Sequence, residues 1–306
     1  MLLGEPTRNV FADLADWQAQ GLKTALAMLV NIDGSSPRPR GAAIGIGEDG
    51  RHSGIISSGC AEEAIIAEGL EVLNSSDNRI TRYGKDSPYL DVVLPCGSGL
   101  DILFAGQNIE PLTRAIMQHH DARRPAFVMP HSDARLTLND TMASESNVAP
   151  IEYEPDYHLH VFGAGPQLTA FAGLANMMGY KIFAHSTDEH AIAKLRAANI
   201  ACQPMTHKTV FGGADFDPYC AVITLFHEHD LEIGVLEAAL NSDAHFIGAM
   251  GSRKTHATRE AAFKTRKTAR TFSDIVGPVG LDIGATDPNE IALSVLAQIV
   301  ERRRQA

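Results

Sequence analysis

The chain has 306 residues, 44% of them hydrophobic and 21% charged, and its formal net charge is −11. That length accommodates two domains, each with its own core, and the composition is that of a globular protein. The acidic balance excludes a general nucleic-acid binder, which needs a basic field. The first residues, Met-Leu-Leu-Gly-Glu-Pro-Thr-Arg, lack the apolar core of a secretory signal, and the early apolar run Ala25 to Val30 is too short to span a bilayer. The expectation is a cytoplasmic protein with no membrane segment. Four cysteines without close pairing read as reduced thiols rather than a disulfide framework.

Residues 9–21 are predicted to form a short amphipathic helix, with Val10, Phe11, Leu14 and Trp17 on one side. Thr24 to Val30 reads as a strand running into a loop, Asn31-Ile-Asp-Gly-Ser-Ser-Pro-Arg-Pro-Arg-Gly41. Ala42 to Gly47 alternates, Glu48-Asp49-Gly50 supplies a hairpin turn, and Gly54 to Ser57 is the returning strand. Ala61 to Leu73 has helical spacing, and residues 89–104 carry two short strands flanking Pro95-Cys96-Gly97. Residues 131–156 are polar and approach a domain boundary near 155, which divides the chain into 1–154 and 155–306. Strands and helices alternate from there. Strands are expected at His158–Phe162, Lys181–His185, Ala221–Phe226 and His245–Gly248, and helices at 166–178, 188–198 and 231–241. That order predicts an α/β fold: an N-terminal α+β domain followed by a Rossmann-like, doubly wound parallel sheet. A last helix begins with Asp287 as N-cap, Pro288 first and Glu290 three after the cap, and buries Ile291, Val295 and Ile299.

Cys60 stands immediately before a predicted helix, where unpaired N–H groups and the dipole favour an anion. A thiol there ionises readily and serves as a nucleophile or soft-metal ligand; alternatively it packs a strand–helix corner. Glu62 and Glu63 either orient a ligand proton or satisfy the first turn. Cys96 lies in a turn stiffened by Pro95 and Gly97, which allows close backbone approach to a ligand or is simply structural. Cys202 and Cys220 fall in or beside the predicted core and carry no role.

Gly163-Ala-Gly165 follows a strand and precedes a helix, the context for phosphate binding, but Leu168 holds the third glycine position of a dinucleotide fingerprint. The second strand ends in His185-Ser186-Thr187-Asp188, so the acid expected on a ribose hydroxyl comes late. His227 and His229 flank Glu228 at a strand's C-terminal end and are either part of a metal site or a surface loop. Gly251-Ser252-Arg253-Lys254 offers a hydroxyl and two cations before a helix start, which suits phosphate. The stretch 253–270 holds seven of the 26 Lys and Arg, against Glu260 alone. It meets a phosphate or an acidic partner, or is a solvated face; Arg38 and Arg40 allow the same readings. A thiol-bearing module followed by a phosphate-receptive one suggests a protein that holds a phosphorylated, metal- or sulfur-bearing cofactor.

These residues resemble the XdhC/CoxI-type accessory proteins of molybdenum hydroxylases such as xanthine dehydrogenase. The resemblance spans nearly the whole chain. It rests on Gly34-Ser-Ser-Pro-Arg-Pro-Arg-Gly41, Gly59-Cys60-Ala-Glu62, Pro95-Cys96-Gly97, Gly163-Ala-Gly165, His227-Glu-His229, Gly248-Ala-Met-Gly-Ser-Arg253, and Gly280-Leu-Asp-Ile-Gly284 leading into Asp287-Pro-Asn-Glu-Ile-Ala-Leu-Ser294. Ser58 stands where such proteins commonly have glycine, Pro166 where they have histidine, Ser186-Thr187-Asp188 where they have Asp-Asp-Arg, and Phe226 where they have threonine. The resemblance implies a homodimeric carrier of the molybdenum cofactor, a molybdopterin that sometimes bears a nucleotide. It also implies association with a cysteine desulfurase and delivery to an apo molybdenum hydroxylase. It places Cys60 at the metal, and Glu62, Cys96, Gly97, Gly163, Gly165, His227, His229, Ser252 and Arg253 around the cofactor. Two alternatives stand beside it: an NAD(P)-dependent oxidoreductase built on the second domain, and an enzyme acting on the cofactor itself.

Overall fold

The computed structural model describes residues 10–59, 61–75, 77–87, 94, 97–139, 141, 149–206, 209–212, 216–226 and 229–305, without the side chains of residues 229 and 230. Two compact units divide the chain, one spanning Thr7–Pro155 and the other Asp156–Ala306.

The first unit is built on an antiparallel sheet. Its elements are α1 (Val10–Ala19), β1 (Thr24–Asp33), β2 (Ala43–Gly47), β3 (His52–Gly54), α2 (Glu62–Ser75), β4 (Arg79–Gly84) and β5 (Gly99–Ala105). The five strands lie in the order β3-β2-β1-β5-β4. Leu26 and Met28 of β1 join one core with Val10, Phe11 and Leu14 of α1, while Ala25, Ala27 and Leu29 join another with Ile65 and Val72 of α2. Both faces are therefore covered, which explains why β1 is a continuous apolar run. It also corrects the expectation for β2, all five residues of which are buried.

Other expectations shift for identifiable reasons. Strand β1 continues through Asn31-Ile32-Asp33, because its polar residues meet polar partners across the sheet: Asn31 Nδ2 donates to Asp101 at 2.8 Å, and Arg82 bridges Asp33 and Asp101. The loop begins at Gly34 instead of Asn31. The returning strand is His52–Gly54 rather than Gly54–Ser57: Gly54 has φ +96°, and the amides of Ile56 and Ser57 turn to Glu62. Strand β4 went unanticipated because its pattern is inverted, with Ile80 40% exposed while Thr81 and Tyr83 are 8% and 2% exposed. Of the two strands expected around Pro95-Cys96-Gly97, β5 follows Gly97, and the other falls outside the described residues.

The polar stretch before residue 155 holds strands too. After α3 (Ile109–Asp121), β6 (Ala126–Pro130), β7 (Leu136–Asn139) and β8 (Ile151–Tyr153) form a three-stranded sheet in the order β7-β6-β8. It belongs to the first unit: Tyr153 meets Phe11 edge-on at 4.8 Å and donates to the Gly41 carbonyl at 2.7 Å.

The second unit is α/β. Its elements are β9 (His158–Gly163), α4 (Gly165–Met177), β10 (Lys181–Ser186), α5 (Glu189–Ala197), β11 (Cys202–Pro204), β12 (Cys220–Leu225), α6 (His229–Leu240), β13 (Phe246–Ala249), α7 (Arg253–Phe263), β14 (Ile275–Val276) and α8 (Pro288–Gln305). All six strands are parallel, in the order β11-β10-β9-β12-β13-β14. This is the Rossmann order, with its reversal between β9 and β12. Residues of α4, α5 and α8 cover one face, and residues of α6 with Phe263 of α7 cover the other. Between β11 and β12 the described residues form no helix; Phe211 and Phe216 from that connection pack against Phe162 and His160. The cap expected for α8 forms: Asp287 accepts from the amides of Asn289 at 2.7 Å and Glu290 at 3.2 Å, and Glu290 accepts from the Asp287 amide at 3.3 Å.

Candidate functional site

In the first unit the antiparallel registers bring three marked loops to one end of the sheet. The C-terminal end of β1 pairs with the start of β5 (Asp33 with Gly99), the start of β2 with the end of β3 (Ile44 with Gly54), and the end of β4 with the start of β5 (Gly84 with Gly99). The connections 34–42, 55–61 and 85–98 therefore leave the sheet at the same end. Arg82 and Lys85 brace it by ion pairs to Asp33.

Cys60, Cys96 and Pro95 lie outside the described residues, whereas Gly59, Ala61, Leu94 and Gly97 are described. Ser58 and Gly59 both have positive φ, +59° and +101°, and bend the chain just before position 60. Glu62 holds that bend. Its carboxylate accepts from the amides of Ser57 and Gly59, both at 2.6 Å, from Ile56 at 3.2 Å and from the Ser57 hydroxyl. The Ser57 hydroxyl oxygen in turn accepts from the Ala61 amide at 2.7 Å. Burial of the Glu62 carboxyl opposes ionisation, but the donors of Ser57, Gly59 and Ile56 outweigh it and hold the group below the usual glutamate range. These contacts all go to the bend that precedes α2, not to the first turn of the helix itself. Gly97 has φ +68° and its amide donates to the Leu94 carbonyl at 2.9 Å.

A second carboxylate on α2, which sequence reasoning missed, anchors the helix from within. Glu68 is buried and accepts from Arg79 at 2.7 Å, Tyr83 at 2.5 Å and the Thr81 hydroxyl. Its signal was the polar, inward-facing pair on β4.

In the second unit the candidates gather at the carboxyl ends of adjacent strands. Gly163 ends β9, β12 ends two residues before His227, and β13 ends at Ala249, three before Ser252. His227 is outside the described residues, and of His229 only the backbone, the first residue of α6, is described. Gly163 is required by packing: a Cβ there would lie 2.7 Å from the Leu225 carbonyl oxygen on the neighbouring strand. Gly165 has φ +68°, and its amide donates to Asp188 at 3.1 Å. That carboxylate also caps α5 through the His190 amide at 2.9 Å. Burial opposes its ionisation, but the amides of Ala191, Gly165 and His190 prevail and hold Asp188 below the usual aspartate range. Pro166 follows, and it has no N–H to offer.

Ser252 caps α7, accepting from the Thr255 amide at 3.1 Å, and Arg253 is exposed beside it. Under this turn lies Arg259, 1% exposed, paired with the fully buried Glu232 through Nε at 2.7 Å and Nη2 at 3.1 Å. Nη2 also donates to the Met250 carbonyl. Cys202 and Cys220 are both buried, and burial raises the Cys202 thiol, so neither suits nucleophilic chemistry. Among the described residues no three His, Cys, Asp or Glu cluster to hold a metal. No helix among them is long and apolar enough to cross a membrane.

Residues 159–299 match the XdhC Rossmann domain, and residues 17–84 match the XdhC and CoxI family. A protein of Escherichia coli named molybdenum cofactor insertion chaperone PaoD is 32% identical over 98% of this chain and 90% of its own length. A probable xanthine dehydrogenase component from Bacillus subtilis is 24% identical over 92% of this chain and 94% of its own. A crystal structure from Bacillus halodurans, described as a xanthine dehydrogenase, superposes with a TM-score of 0.75 at 20% identity, covering 97% of this chain and 96% of the other, and shares the fold. The chain is a member of the XdhC and CoxI family.

Proposed function

We propose that this protein is a cytoplasmic molybdenum-cofactor insertion chaperone. It carries the cofactor as cargo, keeps it available to a cysteine desulfurase while the terminal sulfido ligand is added, and inserts it into an apo molybdenum hydroxylase of the xanthine dehydrogenase type. The carrying observation is the likeness to the Escherichia coli insertion chaperone along nearly the whole of both chains. The working form is a homodimer. Cys60 contacts molybdenum, on a bend that Glu62 pre-shapes, with Cys96 and Gly97 on a loop from the same end of the sheet. Gly163, Gly165, His227, His229, Ser252 and Arg253 border the crevice that receives the cofactor or a nucleotide attached to it, at the carboxyl ends of the parallel strands.

The Rossmann strand order also supports a second reading, an oxidoreductase using NAD(P). Against it stand Pro166 in the first turn of α4 and the engagement of Gly165 by Asp188. One experiment separates the two. The chain is purified from a cofactor-producing host, its molybdenum and its fluorescent pterin oxidation product are measured, and NAD(P)H fluorescence is titrated in parallel. The carrier reading expects near-stoichiometric pterin that falls sharply in Cys60→Ala. Absence of pterin together with saturable NAD(P)H binding and hydride transfer replaces it with the second reading.

A further inference from the structure

The four helices that follow the first, second, fourth and fifth strands of the parallel sheet differ in what stands at their N-terminal turns. At α4 the Asp188 carboxylate already sits on the Gly165 amide, and Pro166 removes the next donor. An incoming phosphate would meet a like charge there, with fewer N–H groups than a glycine-rich turn provides. At α5 the same Asp188 is the cap and Glu189 the first residue. The first turn of α6 includes Asp230. The first turn of α7 has no acid. It begins Ser252-Arg253-Lys254-Thr255, with both cations exposed and the hydroxyls of Ser252 and Thr255 3.0 Å apart. The amides of Arg253 and Lys254, the first two of the helix, have no acceptor within it.

A helix start alone would not make a site, but the inward stripe of α7 is polar at His256 and Arg259, ahead of the core residue Phe263. Arg259 reaches back toward the N-terminus of its helix and ends against the turn: its guanidinium donates to Met250, and a Cβ on Gly251 would lie 3.2 Å from Nη2. Glu232 takes Nε and Nη2, while the buried Nη1 has no partner. One turn before it on the same stripe, His256 carries a buried Nδ1 that is likewise without a partner. Two unsatisfied polar atoms on one buried helix face call for an explanation, because such groups are costly unless something meets them.

We infer that the N-terminal turn of α7, with the Arg259 guanidinium beneath it, is the seat of a phosphate group of the guest in the second unit, and that the Gly163–Gly165 turn is not. The seat offers the amides of Arg253 and Lys254, the Ser252 hydroxyl and the exposed charges of Arg253 and Lys254, above the neutral pair of Arg259 with Glu232. The Gly163–Gly165 turn then serves packing and the strand–helix connection. This inference rests on the reading of the chain as carrier of a phosphorylated guest.

The test uses the full chain without cargo and titrates it by calorimetry with inorganic phosphate and inorganic pyrophosphate. Ser252→Asp keeps an equally good cap but places a carboxylate in the seat. Asp188→Asn keeps the α5 cap and removes the charge at α4. The expected result is saturable binding that Ser252→Asp weakens roughly tenfold or more, in keeping with the loss of a charge-assisted contact. Arg253→Gln weakens it by less, and Asp188→Asn leaves it unchanged. Preference for phosphate indicates a phosphomonoester guest, and preference for pyrophosphate indicates a diphosphate link. The inference is overturned if the wild type binds neither anion, if Ser252→Asp binds as the wild type does with an unaltered melting curve, or if Asp188→Asn tightens binding severalfold. Anion binding at this turn by a chain that acquires no molybdopterin in vivo keeps the seat and removes the carrier reading. Full cofactor loading of Ser252→Asp removes the seat alone.

Discussion

Both units use a carboxylate to hold the turn that precedes a helix, but they bring it from different distances. In the antiparallel unit Glu62 belongs to the helix that follows the bend, three residues after Gly59, and the clasp closes within a single turn of chain. In the parallel unit Asp188 arrives from the next strand–helix junction to engage Gly165, so one side chain fastens two turns at once. The buried anchors repeat the contrast. Glu68 ties α2 to the strand that follows it, whereas Arg259 of α7 pairs with Glu232 of α6 across the intervening strand β13. A local clasp shapes a loop without committing the rest of the fold, while a remote one couples separate turns.

The largest expected effect tests the remote anchor. Arg259→Met leaves the buried Glu232 carboxylate without its cation and is expected to cost the second unit about 3–5 kcal/mol; adding Glu232→Leu recovers most of it. Urea unfolding of the single and double variants checks this, and an unchanged single variant would break the comparison. Glu68→Ala, its counterpart in the first unit, removes the acceptor shared by Arg79, Thr81 and Tyr83 and is expected to cost about 3 kcal/mol. Smaller effects separate the two clasps. Asp188→Ala is expected to lose about 1–2 kcal/mol and to speed amide exchange at both Gly165 and His190. Glu62→Ala should speed exchange at Ile56, Ser57 and Gly59 alone.

The mildest test is pH. Burial first, and the Arg259 charge second, lower the pKa of His256 against the opposing pull of Glu260. The unfolded chain therefore takes up this proton before the folded one. The contribution of neutral His256 is complete above the free histidine value of roughly 6.5 and is lost as pH falls through the folded value. Melting temperatures at pH 7.5 and 5.5 should differ more for the wild type than for His256→Gln.

Legibility followed the same division. Four of the six parallel strands announced themselves as short apolar runs between helical periods, and α8 by its cap, whereas β11 and β14, of three and two residues, were too short to show a pattern. In the first unit Thr81 and Tyr83 face inward to serve Glu68, so β4 carries its apolar residue on the outside and escapes pattern reading. Asn31 and Asp33 look like loop residues until their partners on β4 and β5 are seen. At the site, the pull of Glu62 on Gly59 is a near-neighbour relation written in the sequence. No local pattern reveals that Asp188 binds Gly165, because only the alignment of β9 and β10 brings those junctions together.

The seam between β9 and β12 has a consequence for how the chain is made. Gly163 and Leu225 are paired neighbours at the centre of the sheet, yet about sixty residues of chain separate them. During synthesis β9, α4, β10 and α5 emerge first and can form only half of a sheet, with one flank of β9 open to other strands. Closure waits for β12, across a connection whose described residues contribute aromatic contacts and form no helix. The most vulnerable moment of this protein is therefore expected on the ribosome, while that flank is bare, and lengthening the connection between β11 and β12 should prolong it.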